Sequence, residues 1–193
     1  MNPHTILFTG HMIDKKDRKE PRFPANKEPQ VRAVIKDALQ KQKEKSSGML
    51  QGIAGGACGG DILFHEVCEE LGIHSEIYLA LPPDQFIGQS VAFAGPSWVD
   101  RFHHLMVKHP VHILQEENKI ASDKIDDSVW EKANQWMLHA ALARGGQAMT
   151  LVALWDQKKG DAGGGTEDMV TEAKEQHAET IILDMQELAN KEE

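Results

Sequence analysis

The residue types best suited to chemistry cluster in two glycine-rich turns. The first lies within Gly52 to Leu71 (GIAGGACGGDILFHEVCEEL), where Gly55, Gly56, Gly59 and Gly60 precede an amphipathic helix carrying Asp61 and His65. Glycine lets the main chain approach an anion closely and adopt positive φ. The helix behind such a turn aims unpaired N–H groups and a positive dipole end at the same point. The stretch therefore predicts a cradle for phosphate or carboxylate. Asp61 stands where an N-cap belongs, and its charge repels a phosphate set too close. Either the anion sits on the glycines before it, or Asp61 faces a ribose hydroxyl instead. His65, one turn on, is expected to look toward the same loop mouth, its alternative being a half-buried helix position. The competing reading of the stretch is a capped turn with no ligand.

The second turn, Gly163-Gly164-Gly165-Thr166, opens another helix, with Asp156 upstream and Glu167 at the helix start. Asp156, Glu167 and Asp61 are the carboxylates available as acid, base or nucleophile. Thr9, Gly10 and His11 close a short apolar run, and the amide of Asn134 sits beside an apolar helical stripe. Asn134 serves either a neighbouring backbone group or a ligand. Cys58, inside the first loop, has no partner base nearby in sequence, and the spacing of Cys58 and Cys68 offers neither a disulfide nor a metal site. No metal and no cofactor is expected.

Positioning these groups requires strands that end at the turns. Apolar runs at Thr5–Phe8, Met49–Ala54, Ser75–Leu81, Val111–Leu114, Met149–Trp155 and Thr180–Leu183 read as buried strands, the fifth being the most hydrophobic and hence interior. Helical spacing marks Glu28–Lys45, the stretch after Gly60, Trp98–Val107, Ser128–Ala143 and Glu167–Gln176. Met12–Lys27 reads as a long charged loop that covers a ligand or simply connects. Asp84–Pro96 reads as irregular, and Gln115–Asp127 as a polar loop. Strand, glycine loop, helix and strand in so few residues make a βαβ unit with a right-handed crossover. The expectation is one three-layer α/β domain over 1–193, Rossmann-like, with a mostly parallel sheet flanked by helices, a core of about 5–184 and a polar C-terminal tail. Both glycine-rich helix starts then share the carboxyl edge of the sheet, where open α/β folds bind ligands.

A net charge of −9, from 21 Lys+Arg against 30 Asp+Glu, argues against a nucleic-acid backbone as the main partner. It leaves single nucleotides open. No apolar run approaches a membrane helix and the N-terminus MNPHTILFTG lacks a signal-peptide build, so no membrane partner and a cytoplasmic location with reduced thiols are expected. Apolar helices after Trp98 and Trp130 leave room for a homodimer, although tryptophans at helical spacing are core more often than interface.

Three blocks taken together, TGHM at Thr9–Met12, GIAGGACGGDILFHEVCEELG, and the later WEKANQWML, LVALWD and GGGT, resemble the SLOG superfamily. That superfamily joins DNA-processing protein A with the Lonely-guy phosphoribohydrolases, and the blocks are most similar to its YpsA-like branch. The resemblance spans Thr5 to about Asp184. It implies a Rossmann-like sheet with a pocket for a nucleotide-derived ligand. The phosphoribohydrolase pattern Pro-Gly-Gly-x-Gly-Thr-x-x-Glu is matched at Thr166, but Asp161 stands at its proline and Met169 at its glutamate. That departure counts against base–ribose hydrolysis. The leading expectation is a domain that binds or senses a nucleotide-derived small molecule, ADP-ribose-like or similar. An N-glycosidase using Asp156, Glu167 or Asp61 is the alternative, and a DNA-associated scaffold a third reading.

Overall fold

The computed structural model describes residues 3–114, 128–158 and 165–190. Gly163, Gly164 and the expected 115–127 loop lie outside them. Six strands, β1 (His4–Gly10), β2 (Leu50–Ala54), β3 (His74–Leu79), β4 (Val111–Ile113), β5 (Met149–Trp155) and β6 (Glu179–Asp184), form one sheet in the order β4-β3-β2-β1-β5-β6. All five pairings are parallel, with registers such as Ile6 opposite Gly52 and Leu7 opposite Leu151. The chain reverses its direction of travel across the sheet between β1 and β5. There the loops after two neighbouring strands diverge to opposite faces and leave a crevice.

Side chains that alternate along each strand fill both faces. Ile6 and Phe8 of β1, with Val152 and Leu154 of β5, pack under α1 (Glu28–Lys45), α2 (Gly60–Leu71) and α4 (Pro96–Lys108). Leu7, Leu151 and Ala153 pack on the other face, against Met137 and Leu138 of α5 (Ser128–Ala141) and Met169 and Val170 of α6 (Thr166–Glu175). Because both faces are buried, the strands read as continuous apolar runs, which is the signature of a covered parallel sheet.

The helices follow their sequence rules. Pro29 sits in the first turn of α1, Lys43 and Lys45 in its last, and Val31, Ile35, Ala38, Leu39 and Gln42 form its buried stripe. Gly72 ends α2 with φ 67°, its amide donating to the carbonyls of Cys68 and Glu69. Arg101 of α4 reaches Glu66 of α2 at 2.6 Å and Glu28 of α1 at 2.8 Å, while Arg32 of α1 pairs with Glu66 and Glu70. These half-buried pairs tie three helices together. A final helix, α7 (Met185–Asn190), follows β6, and among the described residues no helix is long and apolar enough to cross a membrane.

One expectation is corrected: Asp84–Pro96 is not irregular. It holds α3 (Pro83–Ser90) and a 3-10 turn at Ala92–Ala94. Pro83 occupies the first turn, where a missing amide costs nothing, and only Phe86 and Ser90 are buried in α3. Eight residues interrupted by Gly88 carry too little apolar period to read as a helix.

The glycine loop between β2 and α2 shapes its surroundings through contact. The segment after β1 lies against it as a short antiparallel bridge, with Met12 opposite Gly59. Ile13 N–H donates to Cys58 O and Gly60 N–H to His11 O. Gly59 has φ 101°, and a Cβ there would lie 2.7 Å from Ile13 N. Gly59→Ala is therefore expected to destabilise by about 2–4 kcal/mol, backbone strain adding to the clash. Urea unfolding measures it, and a cost below about 0.5 kcal/mol contradicts the bridge.

Candidate functional site

A cavity of about 380 Å³ opens at the carboxyl ends of β1, β2 and β3, within the ~300–1,000 Å³ typical of small-molecule sites. Thr9 and Gly10 come from the end of β1, Gly55 from the loop after β2, and Tyr78 and Ala80 from β3 and its exit. From α3, Phe86, Gln89 and Ser90 close one side. From α5, Trp130, Ala133, Asn134 and Met137 close another, with Gly165 and Thr166 at the start of α6 and Met12 on the rim. The walls are mainly apolar and aromatic, Phe86 and Trp130 meeting edge to face at 5.8 Å between centroids. Polar atoms enter at separate points: the hydroxyls of Thr9 and Thr166, 3.4 Å apart, and the amides of Gln89 and Asn134.

Asp61 supplies the ionisable carboxyl of this cavity. It is the second residue of α2 and not its N-cap, the position before the helix being Gly59. Its side chain turns back, and Oδ2 accepts the Ala57 N–H at 3.2 Å. Gly55 makes room for it, since a Cβ there would lie 2.6 Å from the same oxygen. Burial raises the Asp61 pKa to about 7, against a smaller lowering by the Ala57 amide. The carboxyl thus keeps its proton well above the usual range.

Half of the glycine loop's amides serve the fold. The amides of Ala57, Cys58 and Gly60 already donate to Asp61, to Ser90 O and to His11 O. Gly56 faces Phe102 and Leu79, while Gly60 packs on Phe8. Of the four loop glycines only Gly55 lines the cavity. Their role is close packing, which the composition of the loop does not distinguish from anion binding.

His65 is corrected as well. It is fully buried, with Nε2 2.9 Å from Gly55 O and Nδ1 2.9 Å from Ser75 Oγ. A carbonyl can only accept, so Nε2 carries the hydrogen and Nδ1 accepts from the Ser75 hydroxyl. Ser75 Oγ in turn lies 3.1 Å from His109 Nδ1, whose Nε2 lies 2.9 Å from Glu69. Burial, with His109 nearby, brings the His65 pKa down to about 3. The ring is a neutral strut behind Gly55, outside the cavity.

Asp156 and His11 also stand elsewhere. His11 Nε2 lies 3.2 Å from both the amide nitrogen and Oδ1 of Asp156, whose Oδ2 is 3.5 Å from Arg22 Nε. Burial raises the Asp156 pKa, but the Lys158 amide, His11 and Arg22 outweigh it and hold the carboxyl below its ordinary value. Burial lowers that of His11, against the pull of Asp156. The pair anchors the segment between β1 and α1 and is not poised over the cavity. Glu167, on α6, does not line it either. Cys58 is buried and its thiol pushed up to about 12 by desolvation, which leaves no nucleophile there.

Thr9, Gly10, Gly55, Asp61, Asn134, Gly165 and Thr166 are thus brought together, and His11, Gly56, Gly59, Gly60, His65, Asp156 and Glu167 are not. Tyr78, Phe86, Gln89 and Trp130 complete the cavity. Trp130 shares the α5 face with Ala133 and Met137, a visible signal, whereas Phe86 and Gln89 were hidden in the unrecognised α3. Among the described residues, no group of three or more His, Cys, Asp or Glu side chains is arranged to hold a metal ion.

Asp61 and His65 carry opposite pH signatures. The folded Asp61 holds its proton up to about pH 7 against an ordinary 3.8, so it lowers stability as pH rises from about 4 to 7. His65, at about 3 against 6.5, lowers stability as pH falls from about 6.5 toward 3. Asp61→Asn is expected to gain stability over the parent progressively from pH 4 to 7, reaching about 1–3 kcal/mol at pH 8. Urea midpoints at several pH values measure this difference, and a difference independent of pH contradicts the burial of the carboxyl.

No protein-family model and no curated protein matches the chain. Among solved structures, the chain is similar to the X-ray structure of DNA processing protein A (DprA) from Streptococcus pneumoniae, at 11% sequence identity and a TM-score of 0.45. The likeness covers 99% of this chain and 62% of that one, so the chain spans less than two thirds of its length.

Proposed function

We propose that this chain binds a nucleotide or nucleotide-derived small molecule with its nucleoside part in the cavity at the carboxyl edge of the sheet. The observation that carries this reading is the lining itself: aromatic walls, the side-chain amides of Gln89 and Asn134, the hydroxyls of Thr9, Tyr78, Ser90 and Thr166 and the carboxyl of Asp61, set around about 380 Å³ at the carboxyl edge of the sheet. A flat base suits the half-buried Trp130 ring backed by Phe86, its edge meeting Asn134 or Gln89. Asp61 and Thr9 suit the hydroxyls of a ribose. The ordered blocks TGHM, GIAGGACGGD and GGGT support a place in the YpsA-like branch of the SLOG superfamily.

Binding without turnover is favoured by Met169, which stands at the phosphoribohydrolase glutamate position and is packed into the core beneath α6. One observation favours the second reading, an N-glycosidase. A carboxyl protonated near neutral pH is the form a general acid needs to help a base depart, and Asp61 has that form in the cavity. Asp156 and Glu167 no longer fit that role.

Calorimetric titration with a panel of nucleosides and nucleotides is expected to give heat for a subset, and Trp130→Ala to weaken that binding by about 10–100-fold. Uniformly absent heat together with no thermal shift would sink the reading. Chromatography of free base from the ligands that bind separates the two versions: no release above a buffer control removes the glycosidase, and release abolished by Asp61→Asn supports it.

A further inference from the structure

We propose that the segment between β1 and α1, through Lys15 and Arg18, seats the phosphates of the cavity's ligand, so that base and sugar lie in the cavity while the phosphate chain crosses Met12. This rests on the nucleotide reading above and assigns it a second subsite.

The start of α6 at Gly165 and Thr166 reaches the cavity, but its described walls bring a phosphate no counter-charge. Among the described residues no Lys, Arg or His lines it, and its ionisable side chains are the carboxyl of Asp61 and the phenol of Tyr78. Three amides of the glycine loop are already spent. A phosphate needs opposite charge or several aligned donors to leave water.

Opposite charge is found next door. A second depression, of about 430 Å³, runs along His11 to Arg22 and Phe93, and Met12 lines it and the cavity alike. Met12 is 40% exposed, so it forms a low sill between the two. Residues 11–22 carry five cations (Lys15, Lys16, Arg18, Lys19, Arg22) against three acids (Asp14, Asp17, Glu20), in a chain with 21 basic and 30 acidic residues. This local inversion of sign focuses anions on the segment.

The segment is also held in place, which a binding surface requires. At one end it is bridged to the glycine loop through His11 and Ile13. Its own ends meet where Asp14 N–H donates to Phe23 O and the Asp14 carboxylate accepts the amides of Arg22 and Phe23. Phe23 is fully buried, and Asp156 holds Arg22 from the other side. Asp14 and Asp156 thus serve as anchors, with Arg22 part of the frame. Lys15 and Arg18 both line the depression, beside Asp14 and Asp17, and are exposed; Lys15 reaches over the Phe93 ring at 5.2 Å, while Arg18 Nε donates to Glu20 O at 2.9 Å and stands 3.5 Å from Asp14, so an anion takes Arg18 in exchange for these contacts. An arriving diphosphate would take these two side chains as charge partners at the surface.

The test is calorimetric titration of the full chain with adenosine, guanosine, cytidine and uridine and with their 5′-diphosphates. In the parent, the preferred diphosphate is expected to bind at least about tenfold tighter than its nucleoside, a gain that shrinks as salt is raised. Lys15→Ala with Arg18→Ala is expected to abolish the gain while leaving nucleoside affinity and melting temperature as in the parent. Lys16→Ala with Lys19→Ala, an equal loss of charge on the same segment, is expected to keep the gain. A gain retained in the first double variant, or lost equally in both, overturns the subsite, as does a parent with no gain; in each case nucleoside binding leaves the cavity reading standing. Absence of binding by every nucleoside and diphosphate overturns both.

Discussion

Where β1 and β2 leave the sheet, their last peptide groups lose their strand partners, and buried peptide groups must find others. The answer here is a backbone exchange across the carboxyl edge: His11 N–H to Leu154 O, Ile13 N–H to Cys58 O, and Gly60 N–H to His11 O. Much of the edge follows from it. The exchange requires Gly59, fixes the entry into α2 and hence the direction of Asp61, and lays the following segment along the rim of the cavity. Cys58 N–H extends the same network to Ser90 O, which seats α3 over the opening. The loop that resembles a ligand cradle is first of all a structural splice.

This splice separates charges that would otherwise compete. Asp61 is turned inward, where burial raises its affinity for a proton, so that its carboxyl passes between neutral and charged near pH 7. Asp156 is turned away from the cavity, buried against His11 and Arg22, and stays ionised. Two carboxylates at the ends of neighbouring elements therefore differ in what they can do: one can donate or accept a hydrogen bond into the cavity, the other fastens a loop. Behind them, His65 links Gly55 to Ser75 and His109 by hydrogen bonds, which stiffens the cavity floor. Burying so polar a chain is tolerable because each member has its partner.

The sequence by itself determined the sheet, because strand burial on two faces writes itself as apolar runs and helix burial as a 3.6-residue stripe; β5, with MTLVALW, and α1 are the clearest cases. It also brought Thr9, Gly10, Gly55, Asp61 and Thr166 to one edge, since parallel strands in βαβ order must deliver their carboxyl ends there, but it left Asn134 open between a backbone partner and a ligand. It left α3 unread, because a short helix with two buried residues leaves too little period. Only the tertiary structure decided what each polar group was for. Glycine is demanded equally by an anion, by a bridge and by a neighbouring Phe102, and a carboxylate after a strand can face a ligand or an arginine. Which of these obtains for Gly56, Gly59, His65 and Asp156 depends on residues distant in sequence, such as Ile13, Arg22, Ser75 and Phe102, whose approach no local pattern encodes.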